Sequence, residues 1–130
     1  MDNYNYSKSA DEIIDEIDDL LPEINIEKGL ANCVSDSDFY IEIFTDFTNL
    51  DIKDALEKLL ETNNSLDYCT RIHGFKSNAY CVGATALGDL AYEMEKMSRE
   101  GLPEEIRTLQ SALFEKYDRI CLCFREITQD

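Results

Sequence analysis

The sequence is short of the residues that mark several classes of protein. Its 130 residues include no tryptophan, two prolines, five glycines and a single histidine. No apolar run approaches the roughly 20 residues needed to cross a bilayer. The first residues, MDNYNYSKSADE, lack the basic flank and the apolar centre of a signal peptide. We therefore expect a soluble, cytoplasmic protein.

Basic side chains are also scarce. Lys and Arg number 12 against 28 Asp and Glu, which gives a formal net charge of −16. A surface this negative repels phosphate backbones and anionic membranes. We therefore expect neither nucleic acid nor a membrane as a partner.

The cysteines do not indicate a disulfide framework or a metal site. Their number is odd, and most lie in apolar periodic segments, which suits reduced thiols in a core. The single histidine excludes a His-rich metal site. We expect no bound metal and five free thiols, at Cys33, Cys69, Cys81, Cys121 and Cys123.

Apolar residues recur at helical spacing along almost the whole chain. No window shows the alternation of a half-buried strand, so the predicted fold class is all-α. Ser65 is expected to cap one helix and Gly83 to end it in a left-handed conformation. A break is expected near Thr48 and Asn49. The predicted helices are 10–21, 26–33, 35–62, 66–82, 85–100 and 103–127, the last with Pro103 in its first turn.

Short loops between long helices place neighbouring helices antiparallel. The four long segments that begin at residue 35 therefore predict an antiparallel four-helix bundle. We assign residues 23–130 to this bundle, since the chain has the length of one compact domain. Residues 1–22 contain an amphipathic helix that either caps the bundle or links it to another domain.

Acidic charge is concentrated in the first half of the chain. Residues 1–67 hold 18 acids and 4 bases, net −14, whereas residues 68–130 hold 10 acids and 8 bases, net −2. Residues 68–88 contain no Asp or Glu but do contain Arg71, His73 and Lys76. An anionic group is therefore expected to be tolerated in this stretch and scarcely elsewhere.

His73 is predicted to face solvent. On a helical wheel of about 100° per residue, the apolar side of its helix is centred about 140° away from it. Lys76 lies one turn along on the His73 side, with Ser77 beside it. An exposed imidazole is largely neutral near neutral pH, so one ring nitrogen carries a lone pair that can attack phosphorus. Gly74, a weak helix former, would leave that imidazole unobstructed.

The stretch HGFKSNAYCVGATALGDLAYEME, residues 73–95, resembles the signature of histidine-containing phosphotransfer (HPt) domains. In that family the acceptor His is followed three residues later by Lys, then by a small residue, a helix-ending Gly-Ala and an amphipathic helix. The segment LPEINIEKGLANCVSDSDFYIEIFTDF is also similar to the opening of HPt modules, so the resemblance spans about residues 21–127. The matching residues are His73, Lys76, Ser77, Gly83, Ala84, Leu87, Leu90 and Ala91.

The resemblance implies a phosphocarrier. A phosphoryl group would pass from a receiver domain's aspartyl phosphate to His73, and then to the aspartate of another receiver. Lys76 would stabilise the phosphoryl oxygens and Ser77 would offer a hydrogen bond. The expected partners are response-regulator receiver domains and a hybrid sensor kinase. Mg²⁺ would belong to the receiver, and this chain, a monomer, would need no cofactor.

An apolar strip flanks His73 on the same side of the predicted helix. Leu66, Cys69 and Tyr80 lie within about 40° of His73 on the wheel. Exposed apolar strips commonly mark contact sites. We expect these three residues to dock the receiver, with Tyr80 as the main anchor.

Two other kinds of function are open. A helical adaptor would bind a partner through the same surface without being phosphorylated, although the presence of both His73 and Lys76 argues against it. A self-contained hydrolase or transferase needs a paired acid and base in a cleft, and the sequence indicates no carboxylate next to His73. The chain also lacks a Gly-rich phosphate loop, so we expect no ATP site and no enzyme activity of its own.

Overall fold

The computed structural model describes residues 6–129; residues 1–5 of the predicted N-terminal segment and residue 130 lie outside the described residues. All regular secondary structure within 6–129 is helical, which confirms the all-α fold class. None of the described helices has the length and apolar character needed to cross a bilayer. The helices are α1 (Ala10–Leu20), α2 (Ile26–Asn32), α3 (Ser37–Phe47), α4 (Lys53–Glu61), α5 (Ser65–Cys81), α6 (Thr85–Ser98) and α7 (Ile106–Thr128).

The segment predicted as a helix at 35–62 forms two helices, α3 and α4. The interruption follows Phe47, at the break predicted near Thr48 and Asn49. Tyr117 of α7 fixes the backbone at this interruption, because its buried hydroxyl donates a hydrogen bond to the backbone carbonyl of Phe47. Buried Tyr hydroxyls need such partners. The break is therefore fixed by the core.

The helix that carries His73, α5, differs from the prediction at its start. Its cap is Asn64 and not Ser65, because the Asn64 side-chain oxygen accepts from the N–H of Asp67 at 3.1 Å. Ser65 takes the first helical position instead. At the other end Gly83 adopts φ +89°, the predicted left-handed conformation. The last helix, α7, begins three residues after the predicted position 103, because the chain at 104–105 forms a turn.

A short turn joins α5 to α6 and makes them antiparallel neighbours. The Sγ of Cys69, early in α5, lies 3.6 Å from the backbone oxygen of Glu95, late in α6. Near the turn, the Tyr80 hydroxyl donates to Asp89 at 2.6 Å. Gly88 permits this close approach, since a Cβ there would lie 2.4 Å from the Tyr80 ring. These contacts place the middle of α5 opposite the second half of α6.

The core of the bundle is built from buried side chains of α3, α4, α5, α6 and α7. Rings of Phe47, Phe75 and Tyr117 meet at its centre, with centroid separations of 5.3 to 5.7 Å. α6 contributes buried apolar side chains, among them Leu87 and Met94. Since Phe75 faces this core, the opposite side of α5 faces outwards.

The described part of the N-terminal segment packs on this bundle. α1 contacts α3 and α7 through the buried side chains of Ile13, Ile14 and Ile17. Lys8 donates to the backbone carbonyl of Ile127 at 2.7 Å, at the C-terminal end of α7. A cation at this end of a helix is favourable, because the last carbonyls carry partial negative charge.

Candidate functional site

His73 lies midway along α5 and its side chain is 58% exposed. This agrees with the predicted orientation. The neighbouring Ile72 and Phe75 are buried in the core, so the periodicity of the helix directs the imidazole outwards. The chain therefore presents a nitrogen base at its surface.

The imidazole has a partner that sequence reasoning missed. Nδ1 of His73 lies 2.8 Å from Oε2 of Glu95 on α6. Glu95 is buried, with 6% of its surface exposed. The expectation that no carboxylate lies next to His73 is wrong, because the α5–α6 hairpin folds a residue 22 positions later onto the same face.

This contact selects one tautomer of the imidazole. An ionised carboxylate accepts hydrogen bonds and donates none. In the neutral ring, Nδ1 of His73 must therefore carry the proton and donate it to Glu95, which leaves the lone pair on Nε2. A carboxylate orients the histidine of serine-protease triads in the same way. Nε2 is thus the ring nitrogen with a free lone pair.

Lys76 is held by the same carboxylate. Its Nζ donates to Oε1 of Glu95 at 2.6 Å, and its side chain is 17% exposed. The ammonium also lies 5.2 Å from the centre of the Tyr92 ring, a favourable cation–π distance. Arg99 adds a second cation 3.9 Å from Oε2 of Glu95. The structure therefore brings His73 and Lys76 together through one shared acid.

The charge state of Glu95 follows from these contacts. Burial raises its pKa, but hydrogen bonds from Lys76 and His73 outweigh burial, so the pKa is lowered from the ordinary value of 4.5. Hydrogen bonds to the charged form of an acid act in this direction. Glu95 is therefore ionised at neutral pH, as the tautomer assignment requires.

Ser77, the third residue predicted to take part in the chemistry, is exposed. Its hydroxyl donates to the backbone carbonyl of His73 at 3.3 Å. Serine hydroxyls within helices commonly bond to the preceding turn in this way. The contact described for the Ser77 hydroxyl is therefore with the backbone of His73 and not with its imidazole.

Leu66 is the most exposed of the residues predicted to dock a partner, at 77%. Cys69 is half-buried, because α6 packs along this side of α5. A residue that sequence reasoning missed, Tyr92 of α6, is 41% exposed next to Lys76. The apolar surface near His73 is therefore shared between two helices.

Tyr80, the predicted main anchor, is half-buried. Its ring contacts Gly88 and its hydroxyl is bound to Asp89. The hydrogen bond to Asp89, followed by burial, raises the pKa of Tyr80 to about 12. Much of this side chain is therefore engaged within the hairpin.

Within residues 6–129, no group of three or more His, Cys, Asp and Glu side chains has the arrangement to hold a metal ion.

Gly74 follows His73 in α5 and lies in open space. A Cβ added at Gly74 would meet no atom within 4 Å.

Comparison with protein-family models, with curated proteins and with solved structures finds no match to this chain.

Proposed function

We propose that the chain is a phosphocarrier of the HPt type. His73 accepts a phosphoryl group from the aspartyl phosphate of one receiver domain and passes it to the aspartate of another. The observation that carries the proposal is the hydrogen bond from His73 Nδ1 to the buried carboxylate of Glu95. This bond leaves Nε2 unprotonated on an exposed side chain, and the resemblance at residues 73–95 supports the same function.

The transfer is a nucleophilic displacement. The lone pair on Nε2 of His73 attacks phosphorus, and a P–N bond forms. The bond between phosphorus and the receiver's carboxylate oxygen breaks, and its electron pair stays on that oxygen. Positive charge develops on the ring as the P–N bond forms, and Glu95 faces that charge through the Nδ1 proton. Passage to the second receiver is the reverse step.

Two cations support an anionic group at this site. Lys76 lies one turn from His73 and is held by Glu95, and Arg99 lies near the same carboxylate. Their positive charges stabilise the negatively charged phosphoryl oxygens as these approach. The receiver would supply the acidic pocket and its Mg²⁺, and we place this exchange in the cytoplasm, with the chain acting as a monomer.

A helical adaptor that is never phosphorylated is the second candidate. The exposed Leu66 and Tyr92 beside the site favour it, since apolar side chains at the surface suit partner binding. A self-contained enzyme fits less well. Although His73 and Glu95 form an acid–base pair, an imidazole that is 58% exposed lies outside the water-excluding cleft that such an enzyme uses.

Direct phosphorylation tests the proposal. The full chain is incubated with phosphoramidate, and separately with a receiver domain loaded by acetyl phosphate. We expect one acid-labile phosphoryl group, mapped to His73 by mass spectrometry. His73→Gln should stay unlabelled, whereas Asn78→Ala, an exposed change on the same helix, should be labelled normally.

Absence of label on the wild-type chain with both donors would contradict the phosphocarrier proposal, and so would label on the His73→Gln variant. Binding of the receiver without any label would support the adaptor.

A further inference from the structure

The ring of Tyr92 lies beside the ammonium group of Lys76. Tyr92 is an exposed residue of α6, one turn before Glu95. The Nζ atom of Lys76 lies 5.2 Å from the centre of this ring and donates to Oε1 of Glu95 at 2.6 Å. The ammonium group of Lys76 therefore has two partners on α6, an aromatic ring and a carboxylate.

These two partners restrain a side chain that is otherwise very flexible. Lysine is among the residues that lose most rotamer freedom when they are fixed. The hydrogen bond to Glu95 fixes the end of the side chain but lets its four-carbon stem adopt several rotamers, and the ring of Tyr92 reduces their number. Lys76 is accordingly half-buried, although it lies one turn after the exposed His73.

A ring is a suitable second partner for this ammonium because it carries no net charge. The face of an aromatic ring attracts a cation, whereas a second carboxylate would also repel the oxygens of a phosphoryl group. An ammonium has three N–H donors. In the described part of the chain, Nζ of Lys76 makes one hydrogen bond, to Glu95. Donors are therefore left for an anionic group that approaches His73.

A second ammonium lies near the same ring and offers a comparison. Nζ of Lys96 is 4.7 Å from the ring centre and is paired with Glu93 at 2.9 Å. Lys96 is four residues after Tyr92, so this contact lies within α6. Lys76 reaches the ring from α5 instead, the helix that carries the imidazole.

We propose that Tyr92 is a positioning residue for phosphoryl transfer. Its ring holds the ammonium of Lys76 on the His73 side of α5, so that this cation is in place when a phosphoryl group arrives. Tyr92 acts through Lys76. The inference rests on the proposed function, because Lys76 has this role only if His73 is phosphorylated.

The rate at which phosphoramidate labels the full chain, followed by mass spectrometry, tests this role. Tyr92→Leu should slow the labelling of His73 about threefold, since a cation–π contact is lost while Glu95 still holds the ammonium. Leu is a good helix former, and changes at exposed positions rarely disturb a fold. Tyr92→Phe keeps the ring and should be labelled at the wild-type rate.

A double variant shows whether Tyr92 acts through Lys76. Tyr92→Leu added to Lys76→Ala should cause no further decrease in rate, because the cation that the ring holds is already absent. Lys96→Ala is the matched control, since it removes the other ammonium near the same ring. Its labelling rate should change less than about twofold.

The reactivity of Lys76 gives a readout that needs no phosphorylation. The folded chain is treated briefly with acetic anhydride, and acetylation of Lys76 is compared with that of the exposed Lys28 in the same sample. Tyr92→Leu should raise the relative acetylation of Lys76 about threefold, because the ring no longer restrains it. Tyr92→Phe should leave it unchanged.

Several results would overturn the role of Tyr92 alone, provided that the wild-type chain is labelled. These are a wild-type labelling rate for Tyr92→Leu, an equal loss for Tyr92→Phe, or a further decrease when Tyr92→Leu is added to Lys76→Ala. Unchanged acetylation of Lys76 in Tyr92→Leu would overturn it as well. A wild-type chain that is not labelled would overturn the proposed function and this inference together.

Discussion

Replacing Glu95 by Gln removes the charge that orients His73 and keeps the size of the side chain. Two arrangements are open to the amide. Its oxygen can accept from Nδ1–H, which preserves the tautomer without the charge, or its nitrogen can donate to Nδ1, which moves the ring proton to Nε2. The first arrangement removes stabilisation of the ring as the P–N bond forms, and the second blocks the nucleophile. Both slow phosphoryl acceptance.

The magnitude follows from the charges involved. Opposite charges about 4 Å apart attract by about 1 kcal/mol in water and by about 4 kcal/mol at an effective dielectric constant of about 20. Glu95 is buried whereas the His73 side chain is 58% exposed, so the site lies between these limits. A loss of about 2 kcal/mol lowers the rate of phosphoryl acceptance about 30-fold.

The rate of labelling by phosphoramidate, followed by mass spectrometry, measures this effect. Glu93→Gln is the matched control, because Glu93 lies on the same helix with a 55% exposed side chain, paired only with Lys96 in the described contacts. Exposed pairs contribute little, so its rate should change less than about twofold. A Glu95→Gln rate equal to that of the wild-type chain would refute the orienting role of this carboxylate.

Further changes test other parts of the structure. Lys76→Ala should slow acceptance about tenfold without abolishing it, because a cation is lost and the nucleophile remains; an unchanged labelling rate would contradict this. Gly74→Ala should raise the free energy of unfolding by about 1 kcal/mol, since the new methyl group enters open space. Denaturant unfolding that shows a lower free energy for the variant would refute this prediction. Gly83→Ala should lower that free energy by at least about 2 kcal/mol, because φ is +89° and a Cβ would lie 2.1 Å from a backbone oxygen. The lowered pKa of Glu95 means that its ionised form contributes stability above the ordinary pKa of 4.5, and that this contribution is lost as pH falls through the lowered value. The free energy of unfolding should therefore decrease less between pH 7 and strongly acidic conditions for Glu95→Gln than for the wild-type chain. Equal decreases would contradict the lowered pKa of Glu95.

The positions of the helices were predictable because the apolar residues that recur at helical spacing in the sequence are the residues that the helices bury. The break after Phe47 was predictable for a similar reason, since polar residues interrupt the apolar spacing there. The cap of α5 was not, because Asn64 and Ser65 are both good cap residues. Only the backbone path shows which of the two side chains reaches the N–H of Asp67.

Glu95 was not predictable from the residues around His73, because their contact depends on the register of two antiparallel helices. One signal was present in the sequence. Glu95 follows Met94 on α6 and lies one turn after the buried Ala91, so it sits at the edge of an apolar stripe, where a carboxylate is costly unless it is paired. Equal counting from the turn at Gly83 places Glu93 opposite His73, so the count reaches the right turn of α6 without identifying Glu95.

For the proposed phosphocarrier function, the arrangement of His73 and Glu95 meets two conflicting requirements. The nucleophilic nitrogen must be exposed, since it has to enter the partner's active site, yet an exposed imidazole rotates freely and exchanges tautomers. Burying the carboxylate instead of the imidazole resolves the conflict. Glu95 is fixed and ionised because Lys76, with a side chain only 17% exposed, offsets the cost of burying its charge. One hydrogen bond, donated by Nδ1 of His73 to this anchored carboxylate, then orients the ring and leaves the lone pair on Nε2 of a side chain that is 58% exposed.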